Sequence, residues 1–172
     1  MKTILSNTLA IAALVMLCAC TKAPETAEQP KAPEKAAPTV ADPNLPEKKV
    51  EISGNDQMKF DVTLIEAKPA QKITVTLKNI GTMPKISMGH NFVLLAKDLD
   101  PAKFVEAGTP HMGRDFIAPE METKVLAHTK LLGPTESDTV TFVAPKELGE
   151  YTYICSFPGH CAIGMKGVLK VQ

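Results

Sequence analysis

Near its C-terminus the chain reads Tyr151-Thr152-Tyr153-Ile154-Cys155-Ser156-Phe157-Pro158-Gly159-His160-Cys161-Ala162-Ile163-Gly164-Met165. The first part alternates, with Tyr151, Tyr153 and Cys155 on one face, which is the pattern of a half-buried β-strand. At Phe157-Pro158-Gly159 the alternation stops, because proline cannot donate to a strand ladder and glycine favours turns. A strand therefore ends on a cysteine and opens into a loop that carries His160 and Met165.

The same period of two recurs upstream. Met58, Phe60, Val62 and Leu64 alternate with polar neighbours, as do Ile73, Val75 and Leu77, and Val140 with Phe142. Glu51 to Ser53, Phe92 to Ala96, Val125 to His128 and Val168 to Val171 complete about eight short strands. Turn signals separate them at Gly54-Asn55-Asp56, Asn79-Ile80-Gly81-Thr82, Leu132-Gly133-Pro134 and Leu148-Gly149-Glu150. Many short strands punctuated in this way predict an all-β domain, a Greek-key antiparallel β-sandwich. Asp100 to Glu122 departs from the pattern, and its start, Asp100 to Glu106, predicts one short helical insertion followed by a long loop.

Cys155, His160 and Met165 stand at five-residue spacing. Thiolate, imidazole and thioether donors together select copper over calcium, magnesium or manganese, which prefer oxygen. A fourth donor must come from elsewhere, and His90, in Ser87-Met88-Gly89-His90-Asn91-Phe92, sits at the mouth of another strand. Two imidazoles and a thiolate with a long axial thioether are the donor set of a blue-copper electron-transfer site. Zinc through His90, Cys155, His160 and Cys161 is the rival, weakened because adjacent His160 and Cys161 point poorly to one tetrahedral centre. His111 and His128 have no second ligand at useful spacing and read as core or surface residues, as do Met112 and Met121.

Composition sets the outer limits. The chain has 172 residues, 19 basic and 19 acidic side chains, 14 Pro, 4 Cys and no Trp. This excludes a basic nucleic-acid binder and a polytopic membrane protein. Six of the 14 prolines fall between Thr21 and Glu47 among Ala, Glu and Lys. Such a stretch buries too little apolar surface to fold, so residues 20–49 read as a tether and 50–172 as the folded domain. Extended like polyproline, Thr21 to Lys49 would reach at most about 90 Å.

Residues 1–19 read as an export signal, with Lys2 and an apolar run from Leu9 to Leu17 too short to span a bilayer. Leu17-Cys18-Ala19-Cys20 resembles a bacterial lipobox, which makes Cys20 the expected lipidation site. An ordinary secretory signal with incidental cysteines is the alternative. Thr21 and Lys22 follow Cys20, and neither is the Asp that commonly retains lipoproteins in the inner membrane. The expectation is thus a lipid-anchored cell-envelope protein on the outer membrane, facing the periplasm.

Gly89-His90-Asn91-Phe92-Val93-Leu94, Ala127-His128-Thr129-Lys130-Leu131, the run Cys155 to His160 and Gly54-Asn55-Asp56-Gln57-Met58 resemble the azurins, which are cupredoxins. With signal and tether, the whole is similar to the lipid-modified azurins. The resemblance implies a cupredoxin fold with one type 1 copper held by His90, Cys155 and His160 in the plane and by Met165 as weak axial ligand. The Gly89 carbonyl would lie on the opposite axis, and Asn91 and Phe157 would support the ligands. It also implies a partly exposed His160 inside an apolar electron-transfer patch of Met58, Met88, Pro158, Gly159 and Ala162.

Three departures stand out. Four residues separate His160 from Met165 where azurins have three, as in the auracyanins. No cysteines match azurin's disulfide, and Phe92 stands where azurins often bury a Trp. Cys161 reads as a small loop residue, with a redox-sensitive thiol or competing ligand as the sharper alternative.

The function implied is a non-enzymatic one-electron shuttle. The partners implied by resemblance are c-type cytochromes, a terminal oxidase, a copper nitrite reductase or a cytochrome c peroxidase. Near-zero charge points to docking through the apolar patch rather than long-range steering. Copper binding or buffering in the envelope is the competing class, although the tether has no Met- or His-rich tract. Nitrite reduction would need a further His-rich centre.

Overall fold

A computed structural model describes residues 40–172. The expected signal, Cys20 and most of the tether lie outside the described residues. Among the described residues there are eight strands: β1 (Lys48–Gly54), β2 (Leu64–Ala67), β3 (Lys72–Asn79), β4 (Val93–Leu95), β5 (Val125–His128), β6 (Ser137–Val143), β7 (Gly149–Ile154) and β8 (Lys166–Val171). The described residues also form two short helices, α1 (Lys85–Met88) and α2 (Pro101–Gly108), and, after α2, 3₁₀ turns at Met112–Arg114 and Pro119–Lys124. One sheet has the order β1-β3-β6 and the other β2-β8-β7-β4-β5.

The expected sandwich is present, and its pairing is mixed. After β1 the chain crosses to the second sheet, lays down β2 at that sheet's edge, and returns to the first as β3. Such a crossover brings β1 and β3 together in parallel, with Lys48 opposite Ile73 and Gly54 opposite Asn79. β2 pairs with β8 in parallel as well, whereas β3 with β6, and β8, β7, β4 and β5 among themselves, are antiparallel.

The alternation in β3 sends Ile73, Val75 and Leu77 into the core, each fully buried. They meet Ile52 from β1 and Leu94, Tyr153 and Leu169 from the second sheet, with Phe60 and Phe92 packed against the Tyr153 ring. Each such side chain contributes about 1.5–3 kcal/mol of burial. The Tyr153 hydroxyl donates to the Val62 carbonyl at 2.7 Å, so its one buried polar atom is satisfied. On the other face of β3, Thr74 and Thr76 pair by hydroxyl contacts with Thr141 and Thr139 directly opposite on β6.

The stretch Met58 to Leu64 does not form the expected strand. Met58 takes a left-handed backbone (φ 56°) at the end of a turn closed by Asn55, and Phe60 makes only an isolated bridge to Gly54. The phase then slips by one residue, so that β2 buries Ile65 and Ala67 and leaves Leu64 54% exposed.

β4 is buried on both faces. Leu94 faces the main core, while Val93 and Leu95 join Phe104, Ile117, Ile154 and Cys161 in a second cluster beneath α2. That helix is the expected insertion. Asp100 caps it by accepting the Ala102 N–H at 2.9 Å, and Pro101 occupies its first turn.

Backbone pairing also reaches N-terminal of Val50. Asp42 donates to the Ala70 carbonyl, Gln71 reaches the Pro46 carbonyl, and the C-terminal Gln172 donates to Ala67 nearby. From that pole β1 runs the length of the sandwich to Gly54 at the other.

Candidate metal centre

β7 delivers Cys155 to the pole where β1 ends, and the Cys155 N–H donates to the Met165 carbonyl at 3.1 Å. His90 arrives after α1, and its backbone is fixed by a reciprocal bridge to Leu132, with N–H to carbonyl distances of 3.0 and 2.8 Å. The loop between β7 and β8 folds back so that Met165 N–H donates to the His160 carbonyl at 2.9 Å. One donor atom each from His90, Cys155 and His160 then lies within 4.8 Å of the others. Cys155 Sγ is 3.5 Å from His160 Nδ1 and 3.8 Å from the Gly89 carbonyl oxygen, and the two imidazole centroids are 5.1 Å apart.

Met165 is fully buried and joins this group from the side of β1. A Cβ placed on Gly54 would lie 2.8 Å from Met165 Cε and 3.1 Å from His90 Cδ2. Both side chains thus converge over a position where only glycine leaves room. Gly54 opens the Gly54 to Met58 motif in the sequence, but its contact with residues so far along the chain has no local signal.

His90 is wholly buried, yet neither ring nitrogen has a hydrogen-bond partner among the described residues. A native protein rarely leaves such atoms orphaned, and coordination of an ion beside Cys155 and His160 would account for it. Burial holds the His90 pKa below its usual value. The carbonyls of Asn55 and Gly89 and the Asp56 charge pull the other way, without an aligned hydrogen bond to the ring. Burial, with His90 adding to it, brings His160 down to about 4. Both imidazoles are therefore neutral near pH 7, with lone pairs free to coordinate.

Burial pushes the Cys155 thiol up to about 12, and the backbone N–H groups of Asn91 and Phe157 oppose it. A metal that displaces the thiol proton would find those two N–H dipoles already facing the sulfur. Neutral imidazoles, a thiol and a buried thioether form a soft, water-poor donor set that fits copper.

The Asn91 side chain locks the ligand-bearing segments together. Its Oδ1 accepts from the Ser156 N–H at 2.8 Å, and its Nδ2 donates to Ser156 Oγ at 2.8 Å and to the Asp115 carbonyl at 3.0 Å. Ser156 Oγ donates to the same carbonyl at 2.7 Å, and Asp115 Oδ1 accepts the Leu131 N–H. Three loops meet at this one amide. Ser156 and Asp115 were not singled out in the sequence, although Ser156 directly follows Cys155.

The Phe157 ring stacks on His160 with centroids 4.5 Å apart and packs edge-on against Phe116. This cover changes one expectation. His160 is only 2% exposed rather than partly exposed, because Phe157 and the loop close over the imidazole. Of the anticipated patch, Met58, Met88 and Pro158 are partly buried and Gly159 and Ala162 exposed. Met83, Ile86, Met112 and Ile163 are further exposed apolar residues on the neighbouring segments.

Cys161 is not a member of the donor group. It is buried in the cluster under α2, which removes the four-ligand zinc arrangement and leaves it a packing residue. His128 is exposed and His111 partly buried, and neither joins a group of potential ligands among the described residues.

Residues 46–172 match the family model described as copper binding proteins, plastocyanin/azurin family. The azurin of Bordetella pertussis is 46% identical over 125 residues, covering 71% of this chain and 82% of that protein. The azurin of Pseudomonas aeruginosa strain PAO1 is 39% identical over 126 residues, covering 72% and 84%. A dithionite-reduced auracyanin from the photosynthetic bacterium Roseiflexus castenholzii superimposes with a TM-score of 0.65 at 35% identity, covering 73% of this chain and 97% of that one.

Proposed function

Since the chain belongs to the plastocyanin/azurin family of copper-binding proteins, we propose that it is a blue-copper electron carrier and not an enzyme. The observation that carries this reading is the fully buried, unpartnered imidazole of His90 within 4.8 Å of Cys155 and His160 donor atoms. Copper bound there would supply a reversible one-electron change between Cu(II) and Cu(I). His90, Cys155, His160 and Met165 are the residues that would hold the copper, with the Gly89 carbonyl beside Cys155 Sγ at 3.8 Å as a weak contact.

The chain's part is to hold these donors in one geometry for both oxidation states. The Leu132 bridge fixes His90, the Asn91 network fixes Cys155 against the His90 segment, and Gly54 leaves room for Met165. Little then has to move when an electron arrives or leaves. Phe157 and Phe116 keep water from the sulfur and imidazole, and the exposed apolar side chains around them suit brief contacts with redox partners.

By family likeness those partners are c-type cytochromes, a terminal oxidase, a copper nitrite reductase or a cytochrome c peroxidase. We place the protein in the cell envelope, lipid-anchored through Cys20 on the outer membrane and facing the periplasm. Incorporation of labelled palmitate, lost in Cys20→Ser, tests the anchor.

Copper loading of the purified protein tests the function. Intense visible copper–thiolate absorption that is bleached by one electron and restored on reoxidation is expected. A colourless copper adduct, or one reduced irreversibly, would overturn the reading.

A further inference from the structure

The loop between His160 and Met165 has a partner far away in the sequence. We propose that Lys59 is a positioning residue for the metal centre, its ammonium clasping the ligand loop at Ile163 and so holding the turn that carries Met165. The proposal rests on the copper reading of the site given above.

From Gly159 to Met165 the backbone coils tightly. Ile163 N–H donates to the Gly159 carbonyl at 3.2 Å, Gly164 N–H to Cys161 at 3.0 Å and Met165 N–H to His160 at 2.9 Å. Those bonds occupy the carbonyls of Gly159, His160 and Cys161, while the Ile163 carbonyl faces out of the coil. Lys59 Nζ donates to it at 2.5 Å, across 104 positions of sequence. A carbonyl with this role would otherwise depend on solvent, and a charged donor forms one of the stronger hydrogen bonds open to it.

Two further observations show a built contact. Gly164 has φ +102°, and a Cβ there would lie 2.9 Å from Lys59 Nζ, so the ammonium passes through space that any side chain at 164 would fill. The base of Lys59 is also fixed. Phe60 is buried in the main core, Met58 packs against it with its left-handed backbone, and Lys59 is left directed outward between them.

The consequence reaches the ligands. The segment after β1 touches the ligand loop twice, Gly54 against Met165 Cε and Lys59 on Ile163. Met165 is therefore held on both sides: its thioether rests over Gly54, and the peptide leading into it is tied through Ile163. A loop of four residues has more freedom than one of three, and Lys59 removes that freedom from outside the loop.

Lys59→Met keeps the length of the side chain and removes donor and charge, whereas Lys59→Arg restores both. In the metal-free full chain, a loss of about 1 kcal/mol of local restraint predicts about fivefold faster hydrogen exchange at Ile163, Gly164 and Met165 in Lys59→Met. Tyr151 and Tyr153 amides should exchange at the parent rate, and Lys59→Arg should lie near the parent throughout. In the copper-loaded protein, loss of copper to a chelator should be about fivefold faster in Lys59→Met, again restored by Arg. Exchange and copper loss within twofold of a blue parent in Lys59→Met would overturn the clasp and leave the copper site standing. A parent without copper–thiolate absorption would overturn both.

Discussion

Removing the Asn91 side chain should cost far more than one amide suggests. Asn91 is fully buried, and Asn91→Ala deletes one accepted and two donated hydrogen bonds. Their loss is uneven. The Asp115 carbonyl keeps Ser156 Oγ as a donor at 2.7 Å and stays satisfied. The Ser156 N–H loses its Oδ1 acceptor and is left buried, which costs about 1–3 kcal/mol. The remaining bonds are worth about 0.5–1.5 kcal/mol each net, and relaxation recovers part of that, so a total of about 2–4 kcal/mol is expected.

Guanidinium unfolding of the metal-free protein measures this, read as a lower midpoint at an unchanged m-value. A cycle with Ser156→Ala sharpens it, because the two residues share a network. The double variant should be less destabilised than the sum of the singles by more than about 0.5 kcal/mol. A loss below about 1 kcal/mol with additive energies would show that water replaces the amide, and that the three loops are not held by it.

Gly54→Val should lower stability by about 1–3 kcal/mol, because a Cβ would lie 2.8 Å from Met165 Cε, and the copper–thiolate spectrum should shift as Met165 is displaced. Thermal unfolding and absorption check this together. Cys161→Ser should cost about 1–2 kcal/mol by placing a hydroxyl in the apolar cluster under α2, with the blue spectrum unchanged before and after mild peroxide. Asp56 accepts from the Thr82 N–H and hydroxyl and from Met83 N–H, which holds its pKa below the usual 3.8. Its contribution is present above 3.8 and is lost as acid carries the pH below the lowered folded value, so Asp56→Asn should flatten that part of the acid-unfolding profile.

Much of this was legible in the sequence where contacts follow local pattern. Tyr151, Tyr153 and Cys155 alternate and are buried as their spacing implies, and so are Ile73, Val75 and Leu77. The ligand loop announces its chemistry because Cys155, His160 and Met165 stand on one short segment. The pattern misled at Met58 to Leu64, where the inward phase slips by one residue between Val62 and Ile65 and apolar alternation looks the same either side of the slip. Parallel pairing of β1 with β3 leaves no mark on composition. Gly54 and Lys59 act on residues more than a hundred positions away, and the 2% exposure of His160 depends on how Phe157 falls across it.

β1 gives the molecule a direction. One end lies where Asp42, Ala70 and Gln172 gather, and the other touches His90 and Met165 through Gly54. Seven residues at about 3.3 Å each set the two poles roughly 20 Å apart. Asp42 and Pro46, among the first described residues, are tied to the pole remote from the ligands. A partner could cover the whole His160 end without meeting Asp42, Ala70 or Gln172. The far rim and the coordination geometry are thereby separated by the length of a single strand.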